Sequence, residues 1–207
     1  MVGVRLHPGA APAVVGLPAS ELVDLAPGAD AVWGRAGVAL GDRLEAAGSP
    51  EEALAGLQRH VLDRIAAAPA PDPLVREAVA RLRWRREDVG SLAPSLYISE
   101  RQLRRRCGTA VGLAPKALHR VVRFQGFLAL AQQAMAQGRP PTDPGLAALA
   151  AEAGYADQPH LTRECLRLTG ASPRTFLGNA EHACACGHDH TASFAPLLRW
   201  RRDPARR

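Results

Sequence analysis

Four side chains with forked hydrogen-bonding ends crowd into one short stretch: Arg101, Gln102, Arg104 and Arg105. A guanidinium presents paired donors that match the two major-groove acceptors of guanine, and a Gln amide matches the donor and acceptor of adenine. Gln158, His160 and Arg163 form a second set of the same kind. A different chemistry gathers in His182-Ala-Cys184-Ala-Cys186-Gly-His188-Asp-His190. In an extended segment, alternate residues project to one side, and thiolate with imidazole suits Zn²⁺ or Cu(I). Structural zinc sites ordinarily leave two to four residues between cysteines, whereas a single Ala separates these two. The chain has no Gly-rich phosphate loop, paired-carboxylate site or His-Glu-x-x-His motif, so no enzymatic activity is expected.

Charge points to the same partner as the forked side chains. The 207 residues carry a net +6, very unevenly spread. From Met1 to Asp72 there are 5 Arg against 9 acids; from Pro73 to Gln125 there are 12 Arg or Lys against 4 acids. A biased genome explains Arg in place of Lys, but not an acidic block beside a basic one. A concentrated basic block is the electrostatic footprint of a polyanion. With 4% aromatic residues, the core must be built from Ala, Leu and Val, which favours short, closely packed helices. No run of about 18 apolar residues or cleavable leader is visible, so a cytoplasmic protein without membrane contact is expected.

The elements that must position these side chains can be read from punctuation and periodicity. Val2 to Pro8 alternates weakly and is expected to be a strand. Ser49-Pro50-Glu51-Glu52 opens a helix with an N-cap, a first-turn proline and the acid of a capping box. Leu54, Leu57, Val61, Leu62 and Ile65 then give it one apolar face. Ala68-Pro69-Ala70-Pro71-Asp72-Pro73 ends that helix and is the expected domain boundary. A helix is expected from about Pro73 to Arg86.

Beyond it, one pattern occurs twice. Sliding the chain by 58 residues puts Tyr97 on Tyr155, Ser99 on Asp157, Leu103 on Leu161 and Arg105 on Arg163. It also puts Cys107 on Cys165, Gly112 on Gly170 and Pro115 on Pro173. Such self-similarity marks a duplicated supersecondary unit. Each copy reads as a short helix, a tight turn and a capped second helix: Val89 to Ser95 then Glu100 to Val111, and Pro144 to Gly154 then a helix capped by Asp157 and ended by Gly170. This is the layout of a helix-turn-helix.

In the second helix of each copy, Leu103 with Cys107 and Leu161 with Cys165 are four residues apart and must share the inward face. That turns Arg101, Gln102, Arg104 and Arg105, then Gln158, His160 and Arg163, outward as candidate base readers. It also gives Cys107 and Cys165 packing roles rather than redox ones. Pro115 to Ala136 reads as one linking helix, about 33 Å long at 1.5 Å per residue, close to the roughly 34 Å of one DNA turn. Lys116, Arg120 and Arg123 along it, with Thr162 and Arg174, are candidate phosphate contacts, which set affinity and register but carry no sequence information.

These residues resemble the AraC-type (arabinose-regulator-like) transcription factors over about Pro73 to Ala180. The most specific stretches are Leu92-Ala93 through Ser99-Glu-Arg-Gln-Leu-Arg-Arg105, and Ala153-Gly154-Tyr155-Ala-Asp-Gln-Pro-His-Leu161-Thr-Arg163, with the tail Gly170-Ala-Ser-Pro173-Arg-Thr-Phe176. The resemblance implies a mainly α fold: a seven-helix tandem helix-turn-helix domain with a linking helix, contacting double-stranded promoter DNA and RNA polymerase. It assigns base reading to the same seven residues. Two departures stand out. The family carries an aromatic where Cys107 and Cys165 stand, and the chain has only a short region where many members carry a complete β-barrel sensor. That region resembles the back half of a cupin-like sensor, a strand at Val2 to Pro8 followed by mostly helical chain from Ala19 to Ile65.

The expected organisation is therefore a small, mostly helical region at 1–68, a double helix-turn-helix domain at 72–180 and a Cys/His- and Arg-containing tail at 181–207. The expected function is sequence-specific regulation of transcription. Two alternatives differ in class: a metal-responsive or metal-binding protein using His182, Cys184, Cys186, His188 and His190 with Zn or Cu, and an interaction protein docking on RNA polymerase or another regulator.

Overall fold

The structure, a computed structural model, describes residues 2–82, 88–139 and 143–182. The fold is mainly α. Its helices are α1 (Ala11–Val15), α2 (Ala29–Trp33), α3 (Arg35–Glu45), α4 (Pro50–Ala67), α5 (Pro73–Ala80), α6 (Val89–Ser95), α7 (Glu100–Val111), α8 (Pro115–Ala136), α9 (Asp143–Ala153), α10 (Gln158–Thr169) and α11 (Pro173–His182), with a 3-10 turn at Ala19–Glu21. The described residues contain no strand. The expected strand at Val2 to Pro8 is corrected: its alternation meets no second strand, and an extended segment without a neighbour has no ladder to join. The helix expected from Pro73 to Arg86 is regular only to Ala80, passing into a wider turn at Arg81 and Leu82.

Two compact units form, one from residues 2–80 with 89–118, the other from 81, 82, 88, 119–139 and 143–182. The N-terminal helices thus share a unit with the first helix-turn-helix. In this first unit α7 packs against α5, α1 and the 3-10 turn, while α3 packs against α2 and α4. Val14, Ala19, Leu40, Val61, Val75, Leu92, Leu103, Cys107 and Leu118 are buried within it. The carbonyl of Val14 accepts hydrogen bonds from Trp33 Nε1, at 3.2 Å, and from Arg64 Nε, so one α1 oxygen ties α2 and α4 together. At the start of α4 the Ser49 hydroxyl accepts from the Glu52 N–H, as expected. The Glu52 carboxylate, however, accepts from Gly48 N rather than from the cap residue, so the capping box is only half formed. Leu62 and Ile65 of the expected apolar face are exposed; Val61 carries its burial.

In the second unit α10 packs against α9 and α11. Phe124, Phe127, Leu130, Ala131, Leu146, Ala150, Tyr155, Leu161, Cys165 and Leu177 form its core, with Phe176 packed against it. Phe124 and Phe127 thus share one core with the small Cys165. Phe124 lies 5.9 Å from both Phe127 and Phe176, a separation favourable for tilted aromatic pairs.

The 58-residue register holds along α7 and α10 but slips by one at the turn before them. Tyr97, not Leu96, takes the left-handed conformation that ends α6, with φ 55°; in the second copy Gly154 does so with φ 88°. The N–H of Ile98 bonds to Ala93 O and that of Tyr155 to Ala150 O, which makes Ile98 the counterpart of Tyr155. The equivalence of Tyr97 and Tyr155 is therefore corrected: Tyr97 is 96% exposed and Tyr155 only 4%. The second turn holds one extra residue, Ala156, between Tyr155 and the cap, whereas the half-buried Ile98 directly precedes Ser99.

Gly112 and Gly170 end α7 and α10 with φ 76° and 74°. A Cβ on Gly112 would meet Ala19 O and Val23 Cγ2, each at 2.9 Å, whereas one on Gly170 would meet open space. Gly170→Ala is expected to cost about 1 kcal/mol from backbone strain alone, and Gly112→Ala clearly more, because the 3-10 turn must also move. Denaturant midpoints of the two variants check this; equal losses would mean that the N-terminal turn does not seat on α7.

Candidate nucleic-acid interface

Helix α7 begins with a complete capping box. Ser99 Oγ accepts from Gln102 N at 3.2 Å, and Gln102 Oε1 accepts from Ser99 N at 2.9 Å. Leu103, Cys107 and Ala110 are buried, so Arg101, Arg104 and Arg105 stand exposed as their phase requires. Gln102 is exposed too, but its amide oxygen is committed to the cap. To read adenine it would have to give up that bond, which sets a local competitor against base contact.

Helix α10 forms only the first half of this device, and its return bond goes to the residue before the cap. Asp157 Oδ1 accepts from His160 N at 2.6 Å, and His160 Nδ1 accepts from Ala156 N at 3.4 Å, with the imidazole edge-on to Tyr155 at 5.3 Å. Gln102 and His160 occupy the same register position, and both reach back to the helix start. Arg163, the counterpart of Arg105, is exposed; Gln158 is half-buried, and Thr162 Oγ1 donates to Gln158 O at 3.0 Å. Lys116 and Arg174 are exposed. The exposed cations of these two helices are thus Arg101, Arg104 and Arg105 on α7, and Arg163 with Arg167 on α10.

Arg120 and Arg123, expected as phosphate contacts, have an intramolecular partner. Arg120 Nε lies 3.7 Å and Arg123 Nη2 3.9 Å from Glu164 Oε2, and Arg167 Nη1 lies 3.8 Å from Oε1. Glu164 is 9% exposed and the Arg123 side chain 17%. The Arg123 guanidinium sits 4.6 Å from the centre of the Tyr155 ring, a cation–π contact. Burial raises the Tyr155 hydroxyl to about 12 despite the opposing charge of Arg123.

Sequence reading passed over Glu164 and its register mate Arg106, although the 58-residue slide sets these opposite charges on the same turn of α7 and α10. Arg106 Nη1 donates to Asp72 Oδ2 at 2.6 Å, while Asp72 Oδ1 accepts from Leu74 N at 2.9 Å. One carboxylate therefore caps α5 and holds α7. Burial pushes the Asp72 carboxyl up, but the hydrogen bonds from Arg106 and the Leu74 N–H outweigh it, leaving it below the usual carboxylate value. Burial, reinforced by the charge of Asp72, raises the Cys107 thiol to about 11, and burial raises that of Cys165 as well, consistent with packing roles.

Of the candidate metal ligands, His182 is the last residue of α11, and Cys184, Cys186, His188 and His190 lie outside the described residues. Among the described residues, no helix is long and apolar enough to cross a membrane.

Residues 92–179, from within α6 to within α11, match the family model of a helix-turn-helix domain, less than half of the chain. No curated protein and no solved structure matches the chain. The family match supports an AraC-type helix-turn-helix domain in this part of the chain, and with it DNA binding and transcription regulation.

The Asp72 pair gives the first unit an acid-sensitive element. A carboxyl whose folded value lies below its unfolded one contributes stability above the unfolded value, and loses it as pH falls through the folded one. Wild-type stability is expected to drop as pH is lowered below about 4. Asp72→Asn, which can still cap α5, is expected to be less stable at neutral pH and to show a shallower acid decline. Urea unfolding across pH 2.5 to 7 measures both; parallel curves for the two proteins would contradict the assignment.

Proposed function

We propose that the chain is a sequence-specific transcriptional regulator that inserts α7 and α10 into successive major grooves of promoter DNA. The observation that carries this reading is the repeated position of Arg105 and Arg163, each exposed on an N-capped helix that follows a short helix and a turn. Side-chain caps fix where each reading helix starts, and a buried Leu–Cys pair fixes which face turns out. The twenty-two residues of α8 support the two-groove form, since a helix of that length is about one DNA turn long. Arg101, Arg104 and Arg105 on α7, and Arg163 on α10, are the base-reading set. Gln102 and His160 contribute mainly by holding the helix starts, and Gln158 stands at the edge of the second set. Lys116, Thr162 and Arg174 supply phosphate contacts. RNA polymerase is a partner by the resemblance to AraC-type regulators.

Selection of bound duplexes from a random library tests the proposal and returns the half-site spacing. The expected motif has two parts about one DNA turn apart. Arg105→Ala should relax the preference at one part and Arg163→Ala at the other, each by about 1–3 kcal/mol. If both variants weakened all sequences equally, the base-reading assignment would fail. Binding should also weaken linearly in log–log form as salt rises, through counterion release, and a flat response would contradict the phosphate contacts. Unchanged promoter occupancy after Arg104→Ala with Arg105→Ala would instead favour docking on another DNA-bound protein.

A further inference from the structure

Among the described residues, the charge around Glu164 does not balance. One carboxylate faces three guanidiniums, two from α8 (Arg120 and Arg123) and one from its own helix (Arg167). The pairs are also loose. All three lie at 3.7–3.9 Å, against about 2.7–2.9 Å for a direct charge-assisted hydrogen bond. Arg120 Nε, Arg123 Nε and Glu164 Oε2 are buried without a hydrogen-bond partner. The first copy is built differently: among the described residues one cation meets one carboxylate, Arg106 Nη1 lying 2.6 Å from Asp72 Oδ2, although Arg106 Nε is likewise buried without a hydrogen-bond partner. A pair that served only to fasten α10 would be expected to look like that one.

We infer that Glu164 is a specificity-determining residue, an internal stand-in for phosphate that keeps Arg120 and Arg123 from binding any duplex indiscriminately. Sequence-blind affinity grows with each cation free to neutralise a phosphate, and it is the same for right and wrong sites. A carboxylate that occupies two such cations lowers this background while leaving the base-reading Arg163 untouched on the next position of α10. The 32% exposure of Arg120 and the 63% exposure of Arg167 mean that the cluster opens to solvent, where a phosphate could compete for it. This inference rests on the proposed function, since masking matters only to a protein that binds DNA.

The test uses the full chain, a duplex of random sequence and a duplex recovered by selection, with anisotropy read across a NaCl series. Glu164→Gln is expected to bind the random duplex roughly tenfold tighter at low salt, with a log–log slope steeper by about 1–2, and to lose a similar factor in preference for the selected duplex. Glu164→Asp, which keeps the charge, should retain the wild-type slope. A Glu164→Gln protein with unchanged or lower random-duplex affinity and slope would overturn the inference. Should Glu164→Gln fail to fold, as judged by circular dichroism, Arg120→Gln with Arg123→Gln decides. Masked arginines predict a random-duplex slope equal to wild type, and a slope shallower by about two overturns the inference. Wild-type protein that binds neither duplex would overturn the proposed function and this inference with it. Wild-type binding alongside an unaltered Glu164→Gln overturns this inference alone.

Discussion

Two buried pairs, Leu103 with Cys107 and Leu161 with Cys165, determine what the rest of the molecule can present. Four-residue spacing places each pair on one stripe of its helix, and burying that stripe removes rotation about the helix axis as a freedom. Every outward side chain on α7 and α10 follows from that choice of phase. A rotation large enough to turn Arg105 or Arg163 inward would expose a leucine and a cysteine that the core now covers.

The helix starts add the axial coordinate. In both copies the third helical residue reaches back to the helix start, Gln102 by its amide to the cap residue Ser99 and His160 by its imidazole to Ala156 just before the cap. Residues with ends suited to reading bases thus serve as parts of the scaffold, and the proposed reading set narrows to arginines. Arginine suits that role because its charge is fixed and its fork is planar. The inner flank of each helix is then fastened by charge, with Asp72 holding α7 and the Arg120–Arg123–Glu164 cluster joining α8 to α10.

The bounds of α6, α7 and α8 were legible because their signals are local: an N-cap, a left-handed glycine, a proline in the first turn and a four-residue apolar spacing. The inward phase of the two cysteines followed from the same spacing. Three features were not legible, each for a physical reason. The slip at the turn moves Tyr97 into solvent and Tyr155 into the core, and a fixed slide cannot register an inserted residue. Val2 to Pro8 alternates like a strand, but pairing depends on a neighbour that no local pattern reveals. Arg120 and Arg123 look like solvated cations on α8 until Glu164, distant in sequence, is brought beside them.

The seating of α1 and the 3-10 turn on α7 has a practical consequence for the boundaries of the domain. The family match begins at Leu92, yet part of the surface that covers α7 comes from residues 11–21. A fragment trimmed to the matched residues would leave the Gly112 end of α7 without the Ala19 and Val23 atoms that now approach it. Helix α7 is thus completed by a segment that its own family pattern does not contain. A change near the N-terminus can reach the exposed arginine face of α7 through the seat beneath Gly112 without touching a single arginine.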